Sequence, residues 1–271
     1  MVKRSITGLL LGITMIGGML WSLESGLLLL SIILLGSSFE WFKHLVKREI
    51  IALQVIFIVL TTLHLMLIWV YYLKIFNTQS TELNLLILLP ALMIMLFMAI
   101  GALMIDPPLR IATEWPCGIF YILVPCLIAA VFLISDFQQN RFILLGLIII
   151  NWCNDSFAYF TGRLIGKTPL APSISPKKTV EGATGGLIAA VLAGFSLNQW
   201  LFEQSFPVFQ ITLLGVSIWF AGTIGDLYES KIKRLLGIKD SGDLLPGHGG
   251  FLDRFDSFFY VVVVGIFILS I

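Results

Sequence analysis

Between Ser230 and Asp256 the chain reads SKIKRLLGIKDSGDLLPGHGGFLDRFD. Lys231, Lys233, Arg234, Lys239, His248 and Arg254 supply hydrogen-bond donors there, while Asp240, Asp243, Asp253 and Asp256 supply hard oxygen acceptors. Cationic forks and ammonium groups are the side chains that hold phosphate, and carboxylate oxygens are those that hold a small divalent cation. Gly247, Gly249 and Gly250 let the backbone come close to a ligand. The combination predicts phosphate chemistry assisted by a metal. Asp253 and Asp256, three residues apart where an apolar run begins, can both reach one metal shell. His248 suits a phosphate donor, a base or a loop-ordering hydrogen bonder; with no cysteine or second histidine nearby it does not suggest zinc.

Further polar blocks interrupt the apolar sequence. Four carboxylates fall inside or at the ends of apolar runs, Glu40, Glu114, Asp155 and Asp226, and each is costly in hydrocarbon. Glu40, beside Trp41 and Phe42 with Lys43 and Lys47 beyond, reads as an interfacial anchor, and Glu114 as the partner of Arg110 at a helix end. Asp155, in NDSFAYFTG, shares a helix face with Tyr159, and such a face in a membrane requires a cavity. Asp226, in GTIGDLYESKIKR, has Glu229 and Lys233 on the same side. The bland alternative there is a solvated helix end carrying a Glu229–Lys233 pair. In SPKKTVEG, Thr179 is placed to cap a helix whose open N–H groups would lie beside Lys177 and Lys178, an arrangement suited to a phosphate chain.

These side chains need elements to carry them. A mean hydropathy of +0.98 and 12% charged residues exclude a soluble fold and predict an all-α, polytopic integral membrane protein. The net charge of +1 supplies no global field for nucleic acid, so no nucleic-acid partner is expected. Cys117, Cys126 and Cys153 lie in apolar segments without metal-type spacing and read as small hydrophobes.

Apolar segments at 6–22, 26–42, 50–73, 83–105, 112–134, 142–162, 183–203, 208–228 and 255–271 predict nine transmembrane helices. The first two are short enough to form a tightly turned pair joined at Leu23-Glu24-Ser25. Lys3 and Arg4 precede an apolar run with no evident cleavage site, so the first span is expected to be retained. With the N-terminus cytoplasmic, all Lys and Arg except Lys74 and Arg141 fall on the inside, which places the C-terminus outside. The segments 163–182 and 229–254 then share the cytoplasmic face. The expectation is one integrated domain over 1–271, with 1–141 as scaffold and lipid-facing helices and 142–271 as the catalytic part. Gly182, Gly185 and Gly186 offer a close helix approach.

The spacing S-x-x-K-R-x4-K-D-x-G-x5-H-G-G-x2-D-R-x-D in the 230–256 segment resembles the signature of phosphatidate cytidylyltransferases, the CDP-diacylglycerol synthases. NDSFAYFTGRLIGKT and SPKKTVEGATGG resemble that family's other polar blocks in the expected order, so the resemblance covers 151–256; residues 1–140 match only in being hydrophobic. Asn154 stands where some members carry an apolar residue, which leaves the motif intact.

The resemblance implies transfer of CMP from CTP to phosphatidic acid, giving CDP-diacylglycerol and pyrophosphate, by a Mg²⁺-dependent homodimer in a membrane, with a second cation allowed. It implies metal binding at Asp226 and Asp253, to which the three-residue spacing from Asp253 adds Asp256 as a candidate, and places Lys233, Arg234, Lys239, His248 and Arg254 at the nucleotide and phosphate site. Asp155 joins Lys233, Arg234, His248 and Arg254 as the expected catalytic set; Ser175, Lys177, Lys178, Lys239 and Asp240 are expected to bind substrate. A bacterial inner membrane, with the active site on the cytoplasmic side, is the expected location. A transporter is disfavoured because its ionisable groups belong near the midplane between repeats. CDP-alcohol phosphotransferases are disfavoured because D-G-x2-A-R-x8-G-x3-D-x3-D is absent. An isoprenoid or lipid-alcohol cytidylyltransferase and a lipid kinase are the nearer rivals.

Overall fold

A computed structural model describes residues 2–41, 43, 119–245 and 249–271. The expected spans 50–73 and 83–105, the start of the span 112–134, Glu114 with Arg110, Cys117 and His248 lie outside the described residues.

The described chain is almost wholly helical: α1 Val2–Trp21, α2 Leu23–Glu40, α3 Val124–Ser135, α4 Phe137–Ile165, α5 Val180–Trp200, α6 Val208–Leu235 and α7 Asp256–Ser270. Helices α2, α4, α5 and α6 are each long and apolar enough to cross a bilayer. The chain is an integral membrane protein. The fold is all-α as expected, with one local addition: a small antiparallel hairpin, β1 Pro169–Ala171 and β2 Ser175–Thr179, stands between α4 and α5.

α1 and α2 do form a tightly turned pair, and the hinge is Ser22 rather than the expected 23–25. Ser22 Oγ accepts from the Ser25 N–H (3.2 Å) while Ser25 Oγ accepts from the Ser22 N–H (2.9 Å), a reciprocal cap that starts α2 at once. A single π turn, Ile119–Leu123, leads into α3, and Pro125 near its start has a preset backbone angle and lacks an N–H that would go unpaired there. Asp136 caps α4 by accepting from the Gln139 N–H (3.3 Å).

α4, α5 and α6 pack antiparallel in sequence. The start of α5 meets the end of α4, where a Cβ on Gly182 would stand 2.7 Å from the Ala158 carbonyl, and a Cβ on Gly215 of α6 would stand 2.7 Å from Val191 of α5. Glycine is required at both positions because backbone approaches backbone. Gly185 and Gly186 face Thr161 and Asn154 in the same contact, so the expected close approach is made within one chain. α7 packs against α6, α3 and α4 and is buried on every side from Phe258 to Val263, which is why its sequence is apolar all round.

Helix length sets the depth of the polar residues. Asp155 and Asp226 both stand 18 residues beyond the first residue of their parallel helices, α4 and α6. At a rise of about 1.5 Å per residue that is roughly 27 Å, the far edge of a hydrocarbon layer about 30 Å thick. α4 and α6 then run on for nine or ten more residues, and the hairpin joins them at that end.

Candidate active site

Ten residues before the end of α4, Asp155 is held by two amides from its own helix. Asn151 Nδ2 donates to one of its carboxylate oxygens (3.3 Å) and to Ser257 Oγ at the start of α7 (2.9 Å); Asn154 Nδ2 donates to the other oxygen (3.3 Å). The spacing of Asn151 and Asp155, one helical turn, is the signal by which the sequence could have revealed Asn151.

The hairpin brings Lys178 onto Asp226 of α6 at 2.5 Å, both side chains partly exposed, and Ser230 Oγ donates to the same carboxylate (3.1 Å). Its fixing point is the start of α5. There Thr179 Oγ1 accepts from the Gly182 N–H (3.1 Å), as expected of a cap, and Glu181 accepts from the backbone N–H groups of Lys167 and Thr168 and from the Thr168 hydroxyl. A charge in the first helical turn thereby ties down the chain that leaves α4.

Two turns beyond Asp226, Lys233 Nζ donates to Glu229 Oε2 (2.8 Å) and to Asp253 Oδ1 (2.6 Å). Glu229 is fully buried and Lys233 is 7% exposed. The solvated Glu229–Lys233 pair that the sequence allows is therefore excluded: the pair exists, but inside the protein, with Asp253 as its third member. Asp253 lies in a 3-10 turn, Leu252–Arg254, and also accepts from the N–H groups of Ser241 (3.0 Å) and Gly250 (3.0 Å). Burial pushes the Asp253 carboxyl up, but the Lys233 ammonium and the N–H donor of Ser241 outweigh it and hold the group below the usual carboxylate range. Asp256 opens α7, accepting from the Ser257 N–H (2.6 Å), and its carbonyl accepts from the Tyr121 hydroxyl (3.0 Å).

These elements enclose a cavity of about 590 Å³ whose wall carries Asp155, Asp226, Asp240, Asp253 and Asp256 together with Arg163, Lys177, Lys178, Lys233 and Arg254. Balanced charge of both signs suits neither a bare cation nor a bare polyanion, and suits the two bound together. Of the residues expected from the sequence, the cavity gathers Asp155, Lys177, Lys178, Asp226, Lys233, Asp240, Asp253, Arg254 and Asp256. Ser175, Arg234 and Lys239 do not line it: Arg234 is exposed and donates to the Ile238 carbonyl (3.1 Å), Lys239 is exposed, and Ser175 opens β2. Arg163 and Tyr159, which do line it, extend the α4 face beyond Asp155.

A model of the cytidylyltransferase family matches residues 2–271. The chain belongs to that family. Curated relatives include the phosphatidate cytidylyltransferase of Bacillus subtilis, 43% identical over 123 residues that make up 45% of each chain. That of Staphylococcus epidermidis is 44% identical over 122 residues, 45% of this chain and 46% of the relative. That of Staphylococcus aureus is 45% identical over 124 residues, 42% of this chain and 44% of the relative. The chain spans a little under half the length of the curated relatives it matches.

The wall of this cytidylyltransferase-family cavity bears on a divalent cation. Among the described residues, no three His, Cys, Asp or Glu side chains converge into a complete metal cage. Mg²⁺ needs none, since it takes one or two carboxylates and completes its octahedron with water and substrate phosphates. Asp226 and Asp256 are near enough to act on one another's charge and on Asp155, and Lys178 is the ammonium ion-paired with Asp226. That cluster of hard oxygens fits such an ion. Asp253 fits less directly, because Lys233, Ser241 and Gly250 already engage both of its oxygens.

One carboxylate departs from its expected place. Glu40, at the end of α2, is not an interfacial anchor: it is fully buried and accepts from the Ser241 hydroxyl (2.9 Å) and the Leu252 N–H (2.9 Å). Both partners lie at the far end of the chain, 201 and 212 residues on, which no local reading of FEWFK could supply.

Proposed function

We propose that this chain transfers CMP from CTP to phosphatidic acid, releasing pyrophosphate and forming CDP-diacylglycerol. The observation that supports the reading is a cavity of mixed charge lined by Asp155 of α4 and Asp226 of α6, each 18 residues along its helix, where a lipid headgroup and a soluble nucleotide would meet. The names of the curated relatives support the same choice of substrates.

The nucleophile is a phosphate monoester oxygen. With a second pKa of about 6 it is an anion at neutral pH, so no general base is required. Its oxygen forms a bond to the α-phosphorus of CTP as the bond from that phosphorus to the β-phosphate bridging oxygen breaks, and the electron pair leaves with pyrophosphate. The difficulty is electrostatic: an anion must approach a polyanion in line. Lys177, Lys178 and Arg254 take the phosphate oxygens. Lys178 has two competing partners, Asp226 and a substrate phosphate, and its partly exposed ammonium lets it exchange one for the other. Lys233, locked between Glu229 and Asp253, instead keeps the wall rigid while its charge faces the cavity.

Mg²⁺, where bound, would be held by Asp226 and Asp256 with Asp155 beside them, and by Asp253 if it gives up one of its present donors; it would supply a Lewis acid for the phosphate oxygens. Asp240 faces the nucleotide from the cavity rim, and His248, Arg234, Lys239 and Ser175 keep the phosphate-side roles that the signature implies. The enzyme works as a homodimer in a bacterial inner membrane. It has nine spans, its N-terminus and active site cytoplasmic and its C-terminus outside.

Release of pyrophosphate by the detergent-purified protein tests this reading, with CTP, Mg²⁺ and phosphatidic acid as reactants and ATP or a phosphate-free diacylglycerol as substitutes. Release only with CTP and phosphatidic acid is expected. Equal release with ATP, or with diacylglycerol, would overturn it.

A further inference from the structure

We propose that Glu40, on a helix remote in sequence from every cavity residue, is a positioning residue that holds Ser241 and Leu252 in place and through them sets the placement of Asp253 and Lys233. The inference rests on the function proposed above for its kinetic arm only.

Both hydrogen bonds to Glu40 end on a single oxygen, Oε2: one from the Ser241 hydroxyl and one from the Leu252 N–H, each 2.9 Å. Ser241 is the hub of the network. Its hydroxyl proton goes to Glu40, its Oγ accepts from the Asp253 N–H (3.3 Å), and its own N–H donates to the Asp253 carboxylate. Glu40 thus clamps the two ends of the segment, at 241 and 252, and the residue next to 252 is the carboxylate that grips Lys233 (2.6 Å). The surrounding backbone is cut to fit this clamp. A Cβ on Gly250 would overlap Ser241 Oγ and press on Glu40 Oε2, and one on Gly242 would overlap the other Glu40 oxygen. On α2 itself, a Cβ on Gly36 would stand 2.8 Å from the Phe251 ring. Two glycines of the segment and one of α2 therefore let α2 touch it.

The other Glu40 oxygen, Oε1, has no hydrogen-bond partner among the described residues. A glutamine can therefore present its carbonyl at the Oε2 position and keep both bonds, whereas alanine keeps neither. This separates a hydrogen-bonding role from a space-filling one.

The test compares Glu40→Ala, Glu40→Gln and Ser241→Ala in the full-length protein. Hydrogen exchange of the peptide spanning 240–255 is followed alongside kcat and KM for CTP. For Glu40→Ala, a shift of about 1 Å in the segment predicts a kcat lower by about 100-fold with KM for CTP changed much less, and faster exchange at Leu252 and Asp253. Glu40→Gln is expected to recover kcat to within about fivefold and to restore protection, because both hydrogen bonds survive. Ser241→Ala, which leaves the Leu252 bond in place, falls between them and serves if Glu40→Ala does not fold. Wild-type exchange and kcat in Glu40→Ala would overturn the proposal, as would a Glu40→Gln variant as impaired as Glu40→Ala. If the wild-type protein itself shows no turnover with CTP and phosphatidic acid, the function proposed above fails, and the exchange data alone still decide the role of Glu40.

Discussion

Replacing Lys233 with methionine removes the ammonium that bridges two carboxylates largely withdrawn from water. Glu229 is fully buried and Lys233 is 7% exposed, so solvent screening is weak. Methionine fills much the same volume, so the loss is of charge and not of packing. Breaking a buried pair from one side costs about 3–5 kcal/mol, because the partner is left charged and uncompensated. For a chain of this size roughly 2–4 °C of melting temperature goes with each kcal/mol, which predicts a fall of roughly 6–20 °C. Detergent-solubilised protein followed by intrinsic tryptophan fluorescence reads this directly. A second substitution sharpens the argument: Glu229→Gln added to Lys233→Met removes one stranded charge and should recover part of the loss, so that the double variant melts above Lys233→Met alone. A Lys233→Met melting temperature within about 2 °C of wild type would refute the claim that this triad is buried and coupled, since an exposed pair is worth at most about 1 kcal/mol. A double variant less stable than the single one would refute the account of where the cost lies.

The same geometry sets further outcomes. Asp226→Asn should lower kcat by about 10²-fold or more with little change in melting temperature, and a near-native kcat would remove Asp226 from the proposed metal and phosphate site. Lys178→Ala breaks a partly exposed ion pair, so its stability effect is within about 1 kcal/mol. Its KM for CTP should rise roughly 10- to 100-fold, the worth of a charge-assisted phosphate contact, and an unchanged KM would count against Lys178 as a phosphate ligand. Thr179→Val removes the cap of α5 at a cost of about 1 kcal/mol and loosens the hairpin; a KM for CTP that rises together with faster exchange in 167–179 is expected, and neither changing would show that the cap does not position Lys178.

The parts of this molecule legible in the sequence are those fixed by local pattern. The apolar runs of α4 to α7 announce the helices, Thr179 announces a cap three residues before Gly182, and the crowding of charge at 230–256 announces the cavity wall. What lay beyond the sequence depends on distant partners. Helix α6 outruns its apolar segment because the polar residues Glu229 and Lys233 continue the same turns, buried against Asp253, 20 residues beyond Lys233. The hairpin at 169–179 has no alternating apolar pattern to betray it; Ser-Pro-Lys-Lys-Thr is held as a strand by β1 and by the anchoring of 167–168 on Glu181. Glu40 carried a visible warning, an acid at the end of an apolar run, but its meaning required Ser241 and Leu252. Asn151 was half legible: its spacing of one turn from Asp155 is local, whereas its bond to Ser257 reaches 106 residues further along the chain.

In the proposed reaction the α-phosphate of CTP ends on a lipid phosphate at the wall formed by Asp226, Asp253 and their cationic neighbours. Two parallel reactions with CTP radiolabelled at the α- or the γ-phosphate, each with phosphatidic acid and Mg²⁺, followed by extraction of lipid into organic solvent, test it directly. The α-label alone is expected to enter the lipid phase, in step with loss of phosphatidic acid. Transfer of the γ-label would describe a lipid kinase, and label remaining wholly in the aqueous phase would contradict the proposed reaction.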